Sequence, residues 1–456
     1  MTDDRGSGTS LPNALATTDA EPAGVPADSR MNRRRALGVA AGLVGGAVLS
    51  STALDALAGQ GAGPAVSPAV PAPVAGAEAT AARPVAPIDA SMVPGLPSGP
   101  LSVRSPFESP ALTPVGVTTG ASPSPLQNIV GTITPSDLHF QRHHNGIAVI
   151  DPSRYALTIH GLVDQPLVLS LEELKRFPAV TRTCFVECSG NGRAAYRTPT
   201  REMTPQDVDG LTSNSEWTGV PVATLLKEVG VHRGATWVLA EGGDAARLSR
   251  SIPIGKLLDD ALIAYAQNGE AVRLPNGYPA RLLLPGYEGN MCIKWIRRLE
   301  VIDQPNMSRD ETAKYTDPLP DGTARQFSFV MDAKSIITSP AFPMRLSEPG
   351  WWPVSGLAWT GRGRITRVDV STDGGRSWTE SQLVSPVLPM AHTRFQHMWK
   401  WDGKPAQLLS RAIDETGYVQ PTVETFRRVR GAGTDFHFNA MRTWLVEPDG
   451  RVFFGG

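Results

Sequence analysis

Cysteine is scarce in this chain of 456 residues: three, at positions 184, 188 and 292. An odd, low count supplies no disulfide framework, and the absence of Cys-x-x-Cys-His excludes a c-type haem carried on this chain. Charge of one sign is also missing. Lys and Arg number 43 against 44 Asp and Glu, a formal net charge of −1, so the basic face that nucleic acid requires is absent. No internal repeat occurs, and strand and helix patterns lack the steady alternation of a doubly wound sheet. Between 59 and 125 large apolar side chains give way to Pro, Ala, Gly and Ser, a composition that buries too little surface to fold and reads as a linker.

What is present suffices for a substantial core. Hydrophobic residues make up 41% and charged ones 19%, and the length fits two or three domains. Residues 1–30 are small and polar without periodicity, the pattern of a disordered terminus. Met31-Asn32-Arg33-Arg34-Arg35 then precedes an Ala/Gly/Val/Leu run to about Gly59. Consecutive arginines before a mildly apolar segment resemble a twin-arginine export signal, with Ala56-Leu57-Ala58 as a small-residue cleavage site and Met31 as a possible start. The competing reading is a membrane anchor, which the glycine content and Asp55 weaken. Residues 1–58 are therefore assigned to terminus and signal, and 59–125 to the linker.

The first folded domain is expected over 126–305. Tyr155, Leu157 and Ile159 share one face of a strand running to Gly161. Ser170 with Glu173 forms a capping box for a short helix ending before Pro178. Val222, Leu225, Leu226 and Val229 fall at i, i+3, i+4, i+7 before Gly230, predicting a helix, and Ile254 to Ala266 gives a second helical pattern. Strands are expected over Ala280–Leu284 and about Lys294–Ile302. The fold class is α+β. From 306 a polar crossing leads to short strands with turn punctuation: Arg364 to Ser371 alternates, Asp373-Gly374 makes a hairpin turn, and Ser377 starts the return. Residues 306–456 thus read as the crossing and a β-sandwich of immunoglobulin type.

The informative stretch is Thr183-Cys184-Phe185-Val186-Glu187-Cys188-Ser189-Gly190-Asn191-Gly192-Arg193. Its first half is β-branched and aromatic, a short buried strand; its second is turn chemistry. Cys188 therefore stands where a strand stops and a tight loop begins. A cysteine here can be a small buried hydrophobe or a soft ligand for a transition metal, and taken alone both readings stand. Cys184 reads as core.

Cys-Ser-Gly-Asn-Gly-Arg after an apolar strand resembles the metal-binding signature of the sulfite oxidase family of molybdopterin enzymes. Phe140-Gln141-Arg142-His143-His144 upstream is similar to that family's Phe-x-Arg-x-His segment. Glu241-Gly242-Gly243-Asp244, Gly277-Tyr278-Pro279-Ala280-Arg281 and Cys292-Ile293-Lys294-Trp295 follow in the family's order. The similarity runs from about Ile129 to the C-terminus. Leu138 to Gly146, Ser213 to Gly219 and Asp310 to Asp317 bring it nearest to the molybdenum subunit of bacterial Sox-type sulfane (sulfite) dehydrogenases.

The resemblance implies a molybdenum–molybdopterin cofactor with Cys188 as the metal ligand. It implies substrate-pocket roles for Arg142, Arg193, Arg430 and Tyr315, the arginines because a planar guanidinium pairs oxyanions in a bidentate fashion. Cofactor contacts are implied for Phe140, Gln141, Arg142, His143, His144, Asp244, Arg281, Cys292, Ile293 and Lys294. Asn276, where animal members carry histidine before Gly-Phe-Pro, is a departure that puts one pterin contact in question. The implied activity is oxidation of sulfite or carrier-bound sulfane sulfur outside the cytoplasm, with electrons passed to a c-type cytochrome on another chain. A sulfur-carrier protein is a further implied partner, and the C-terminal domain would serve dimer or heterotetramer assembly.

Three rival readings compete with this one. His139, His143 and His144 crowd together as zinc ligands would, but His-Glu-x-x-His is missing. Sulfoxide or nitrate reductases share the fold, yet the former lack the C-terminal domain and the latter carry haem and flavin domains. An exported β-sandwich binding protein with an inert core cysteine is the non-enzymatic alternative.

Overall fold

The structure, a computed structural model, describes residues 97–456; the twin-arginine segment, its cleavage site and most of the Pro/Ala-rich stretch lie outside the described residues. The first body opens with β1 (Gly120–Ser122), paired antiparallel with β2 (Gln141–His143). This places a strand inside the stretch assigned to the linker. The segment is anchored by hydrogen bonds that composition does not reveal: Gln206 Nε2 donates to Ala111 O (3.0 Å) and Pro123 O (2.8 Å), and buried Ser124 Oγ donates to Leu138 O at 2.7 Å.

In chain order follow β3 (Ala156–Gly161), β4 (Leu167–Ser170), α1 (Leu171–Leu174), β5 (Val180–Glu187), α2 (Arg193–Arg197), α3 (Pro205–Asp209), β6 (Thr212–Pro221), α4 (Val222–Val229), β7 (Trp237–Gly242), β8 (Ser249–Pro253), α5 (Ile254–Asp259), β9 (Leu262–Gln267), β10 (Glu270–Ala271), β11 (Arg281–Leu283) and β12 (Ile296–Ile302). One five-stranded sheet runs β10-β9-β6-β5 with β11 on β9; the other runs β4-β3-β12-β7-β8, its β3–β12 pair parallel. Both sheets and α4 share one core. The predicted apolar stripe of α4 is buried at Val222, Leu225, Leu226 and Val229, and Gly230 ends the helix at φ +68°. Burying each such side chain contributes roughly 1.5–3 kcal/mol, which outweighs the marginal stability of so short a helix alone. The capping box of Ser170 and Glu173 starts α1.

The helix expected over Ile254–Ala266 stops at Asp259, and Leu262–Gln267 is strand β9. Two carboxylates, Asp259 and Asp260, oppose the helix dipole at that end. Beyond them the apolar run is buried between β6 and β11, and a run buried on both faces carries no period that separates strand from helix.

A crossing with a small hairpin, β13 (Asp317–Pro318) and β14 (Ala324–Arg325), leads to β15 (Lys334–Ser339), β16 (Gly350–Trp359), β17 (Ile365–Ser371), β18 (Thr379–Glu380), β19 (Gln382–Val384), β20 (Thr393–Trp401), β21 (Ala406–Asp414), α6 (Val423–Arg430), β22 (Thr443–Val446) and β23 (Val452–Phe454). Two antiparallel sheets, β15-β16-β20-β19 and β18-β17-β21-β22-β23, enclose a second core containing Trp359, Trp399, Trp401 and Trp444. β5 belongs to both bodies. Its alternation sends Cys184 and Val186 into the first core, while Phe185 joins the second.

Candidate active site

The loop after β5 is held from both sides. Cys188 N donates to Leu211 O at 2.9 Å, and Asn191 N donates back to Cys188 O at 2.9 Å. Asn191 Nδ2 reaches Glu187 Oε1 and Asp209 O, each at 2.9 Å, while its Oδ1 accepts from Leu211 N. Gly192 takes φ +89°, and a Cβ there would lie 2.3 Å from an Arg442 nitrogen; only glycine fits. Beneath the loop lies a buried ionic knot between the bodies. Lys334 Nζ from β15 sits 3.1 Å from Glu187 and 2.6 Å from Asp209, Arg442 Nε lies 3.1 Å from Asp209, and Trp359 Nε1 donates to Glu187 at 2.7 Å. The second body thus fixes the backbone that carries Cys188.

Cys188 is half-buried at the wall of a cavity of about 700 Å³, open mouth included, whose lining includes Phe140, Arg142, Asp244, Asn276, Arg281, Lys294 and Tyr315. Burial pushes its thiol up, against a Gly190 backbone bond and the charges of Arg142 and Arg193. Lys294 Nζ donates to Arg142 O, Pro275 O and His143 Nδ1, each at 2.9 Å, tying β2 to the turn at 274–276. Burial, then the Arg281 charge, holds this lysine well below its ordinary value. Burial and the same lysine press His143 down to about 3. Arg281 donates to Asn276 O (3.0 Å) and Cys292 O (3.1 Å). Burial, then Arg142, drops His144 to about 4, and its Nε2 shares a hydrogen bond with the Tyr315 hydroxyl at 2.9 Å. Burial pushes that phenol up.

The residues expected from sequence are mostly brought together. Cys188, Phe140, Arg142, His143, His144, Asp244, Arg281, Cys292, Ile293, Lys294 and Tyr315 all line the cavity. Three do not. Gln141 turns its amide to His143 Nε2 (3.3 Å) instead. Arg193 is drawn outward by the carbonyl of Asp435 (Nη2 at 2.7 Å) and its carboxylate (3.5 Å), leaving its side chain 43% exposed. Arg430 is buried but neutralised by Asp317 (3.5 Å) and Asp332 (3.2 Å). In both cases acids remote in sequence outcompete the cavity. Among the described residues no group of His, Cys, Asp or Glu converges as a metal cage, and the three crowded histidines turn to Phe140 O, Lys294 and Tyr315. Asn276 stands on the cavity wall with Oδ1 unpaired.

Sequence reasoning missed a layer behind the cavity. Arg250 of β8 is fully buried with Cζ 4.7 Å from the Tyr315 ring centroid. Glu288 lies 3.6 Å from it and 3.5 Å from His437 Nε2. Burial pushes the Glu288 carboxyl up, but His437 and Arg250 outweigh that and keep it below the usual range. His437 N in turn donates to Ser189 O at 2.7 Å, and Asn290 Nδ2 to Ser189 Oγ at 3.1 Å. The available signal was Glu288 itself, the one charged residue in the stretch 282–293, which burial would permit only with a partner.

Whether the cavity suits a polar organic cofactor can be read from its walls. Asp244 Oδ1, Asn276 Oδ1, Asn290 Oδ1, Arg281 Nε and His139 Nε2 are buried without hydrogen-bond partners among the described residues. Native interiors rarely leave such groups unmet, so several on one cavity, with a thiol at its wall, fit a ligand rich in donors and acceptors that carries a soft metal.

Comparison with known proteins points the same way. Residues 144–310 match the family described as oxidoreductase molybdopterin binding domain, and 325–443 that described as Mo-co oxidoreductase dimerisation domain. Sulfite oxidase from Gallus gallus is 32% identical over 314 residues, covering 63% of this chain and 68% of that protein. NADH nitrate reductase from Ulva prolifera is 29% identical over 71% of this chain, which spans only 42% of it. The crystal structure of the sulfane dehydrogenase SoxCD from Paracoccus pantotrophus superimposes with a TM-score of 0.77 at 44% identity, over 80% of this chain and 95% of that one.

Proposed function

The chain belongs to the sulfite oxidase family of molybdopterin oxidoreductases, and from that premise we propose that it oxidises sulfite or sulfane sulfur borne on a carrier protein's cysteine. The observation that carries the reading is the cavity itself, with Cys188 at its wall and unpaired polar atoms facing inward. Cys188 would hold molybdenum, losing its proton in doing so, while Asp244, Asn276, Arg281 and Lys294 would meet the pterin and its phosphate. When bound, the cofactor supplies two-electron oxidation of sulfur. The chain's own residues do the rest. Arg142 presents the cavity with a guanidinium for an anionic substrate, and Tyr315 offers its hydroxyl, held 2.9 Å from His144 Nε2. For sulfite, water supplies one oxygen, and two protons and two electrons leave. Electrons pass to a c-type cytochrome on a partner chain, and the C-terminal body, read as an immunoglobulin-like sandwich, serves assembly into a dimer or heterotetramer. The Arg33–Arg35 segment supports export by the twin-arginine route, after cytoplasmic cofactor loading.

The experiment is metal analysis of protein from a cofactor-producing host, followed by cytochrome c reduction with free sulfite and with carrier-bound sulfane. One molybdenum per chain and turnover of either sulfur substrate are expected. Metal-free protein would favour a binding module, and reduction of nitrate or a sulfoxide without sulfur oxidation would move the chain to another branch of the fold.

A further inference from the structure

Arg250 poses a problem that the proposed chemistry leaves open. It is 0% exposed, and Nε, Nη1 and Nη2 all lack hydrogen-bond partners among the described residues. Among the described residues its only acid is Glu288, at 3.6 Å, close enough for charge pairing but outside hydrogen-bond distance. A guanidinium carries five donors, and a buried charge left so poorly satisfied is costly. Packing alone does not account for it, since an apolar side chain would fill the same space more favourably. What the guanidinium does face is a ring. Cζ lies 4.7 Å from the centroid of Tyr315, within the range where a cation is held by an aromatic face.

Tyr315 is otherwise constrained only at its margins. Its hydroxyl meets His144 Nε2 at 2.9 Å, with the two rings edge-on at 86°, and Phe436 lies 5.3 Å away at a tilt of 37°. Cys188, Arg142 and Glu288 are the other titratable or charged groups near enough to act on it. Tyr315 follows a short irregular helical turn, Asp310–Lys314, rather than a strand of the main sheets, so no extended ladder fixes its ring.

We propose that Arg250 is a positioning residue for Tyr315: a fixed cation under the phenol that holds the ring plane, keeps the hydroxyl aimed at His144 and strengthens it as a donor. Glu288 serves as the counter-charge that lets the guanidinium be buried, and through His437 and Ser189 O it ties the pair to the Cys188 loop. The assignment rests on the reading of Tyr315 as an active-site hydroxyl.

The test replaces Arg250 in the full chain with Met, which keeps bulk and removes charge, and with Lys, which keeps charge. A fluorotyrosine placed at 315 is followed by fluorine NMR in the cofactor-free protein, and turnover is measured in the molybdenum-loaded form. Arg250→Met should shift and narrow the 315 resonance and lower kcat at least about tenfold, with KM changed less than about threefold; Arg250→Lys should restore most of both. Should the Met variant fail to fold, Arg250→Lys and Glu288→Gln carry the test, the Gln variant moving the resonance from the wild-type position and the Lys variant leaving it close. A resonance and kcat indifferent to all folded variants overturn the proposal. A wild-type chain that oxidises neither sulfur substrate defeats the functional reading instead, and the resonance then decides the Arg250 assignment by itself.

Discussion

Two buried polar regions lie on either side of the Cys188 loop, and they have been built to opposite rules. In the knot between the bodies, Glu187, Asp209, Lys334 and Arg442 pair one another at 2.6–3.1 Å with the indole of Trp359 completing the set. Around the cavity, Asp244, Asn276, Arg281 and Asn290 are also buried, yet each keeps a donor or acceptor unused. The first region has spent its polarity on the fold; the second holds it in reserve for something bound. Residue type does not separate them, because both mix carboxylates with cations. Only the completeness of pairing does.

Substitutions can break or sharpen that contrast. The largest effect is expected at Cys188, where Ser should reduce turnover by about a thousandfold or more and strip the metal while the melting temperature stays near wild type; retained activity would sink the site. Lys334→Met should act the other way round, costing about 3–5 kcal/mol of stability because Glu187 is left buried without a cation and Asp209 keeps only Arg442, read from chemical unfolding of the cofactor-free chain. Asp244→Asn is the sharper probe. Burial already pushes that carboxyl up, so the amide should leave the stability of the empty protein unchanged or slightly raised, and weaken cofactor retention about tenfold. A loss of stability as large as that of Lys334→Met would erase the distinction.

The smallest effect concerns pH. His392, buried between Phe185 and Trp359 and bonded to Thr212 Oγ1 at 2.9 Å, is pressed down to about 3, first by burial and then by Arg394. Its folded value lies below its unfolded value near 6.5, so its contribution is full above that pH and is lost as pH falls toward 3. His392→Phe should flatten the slope of stability against pH by about 1 kcal/mol per unit between pH 6 and 4. An unchanged slope would show that this histidine is protonated in the native state.

Much of this was legible in the chain because turn chemistry and cofactor-facing residues cluster in short stretches. Ser-Gly-Asn-Gly ended a strand where expected, Ser170 and Glu173 capped a helix, and the segments around 140–144, 281 and 292–294 converged on the cavity. What the sequence hid was competition. Arg193 and Arg430 stand at the expected positions, but Asp435, Asp317 and Asp332 take their charges, and partners 98 to 242 residues away leave no local trace. Arg250 was hidden for the same reason, since an arginine between two serines at the edge of a sheet looks like a solvent-facing charge. The helix expected over 254–266 forms only as far as Asp259, because the doubly buried run beyond it has no period that separates strand from helix.

β5 has one further consequence. Because its two faces are upholstered by different halves of the chain, neither half can be cut away and studied by itself. A protein ending near residue 325 would expose Phe185 and strand Glu187 and Asp209 without their lysine, and the thiol's supporting turn would lose its footing. The C-terminal half is therefore more than a handle for assembly: it is one jaw of the vice in which the sulfur is clamped.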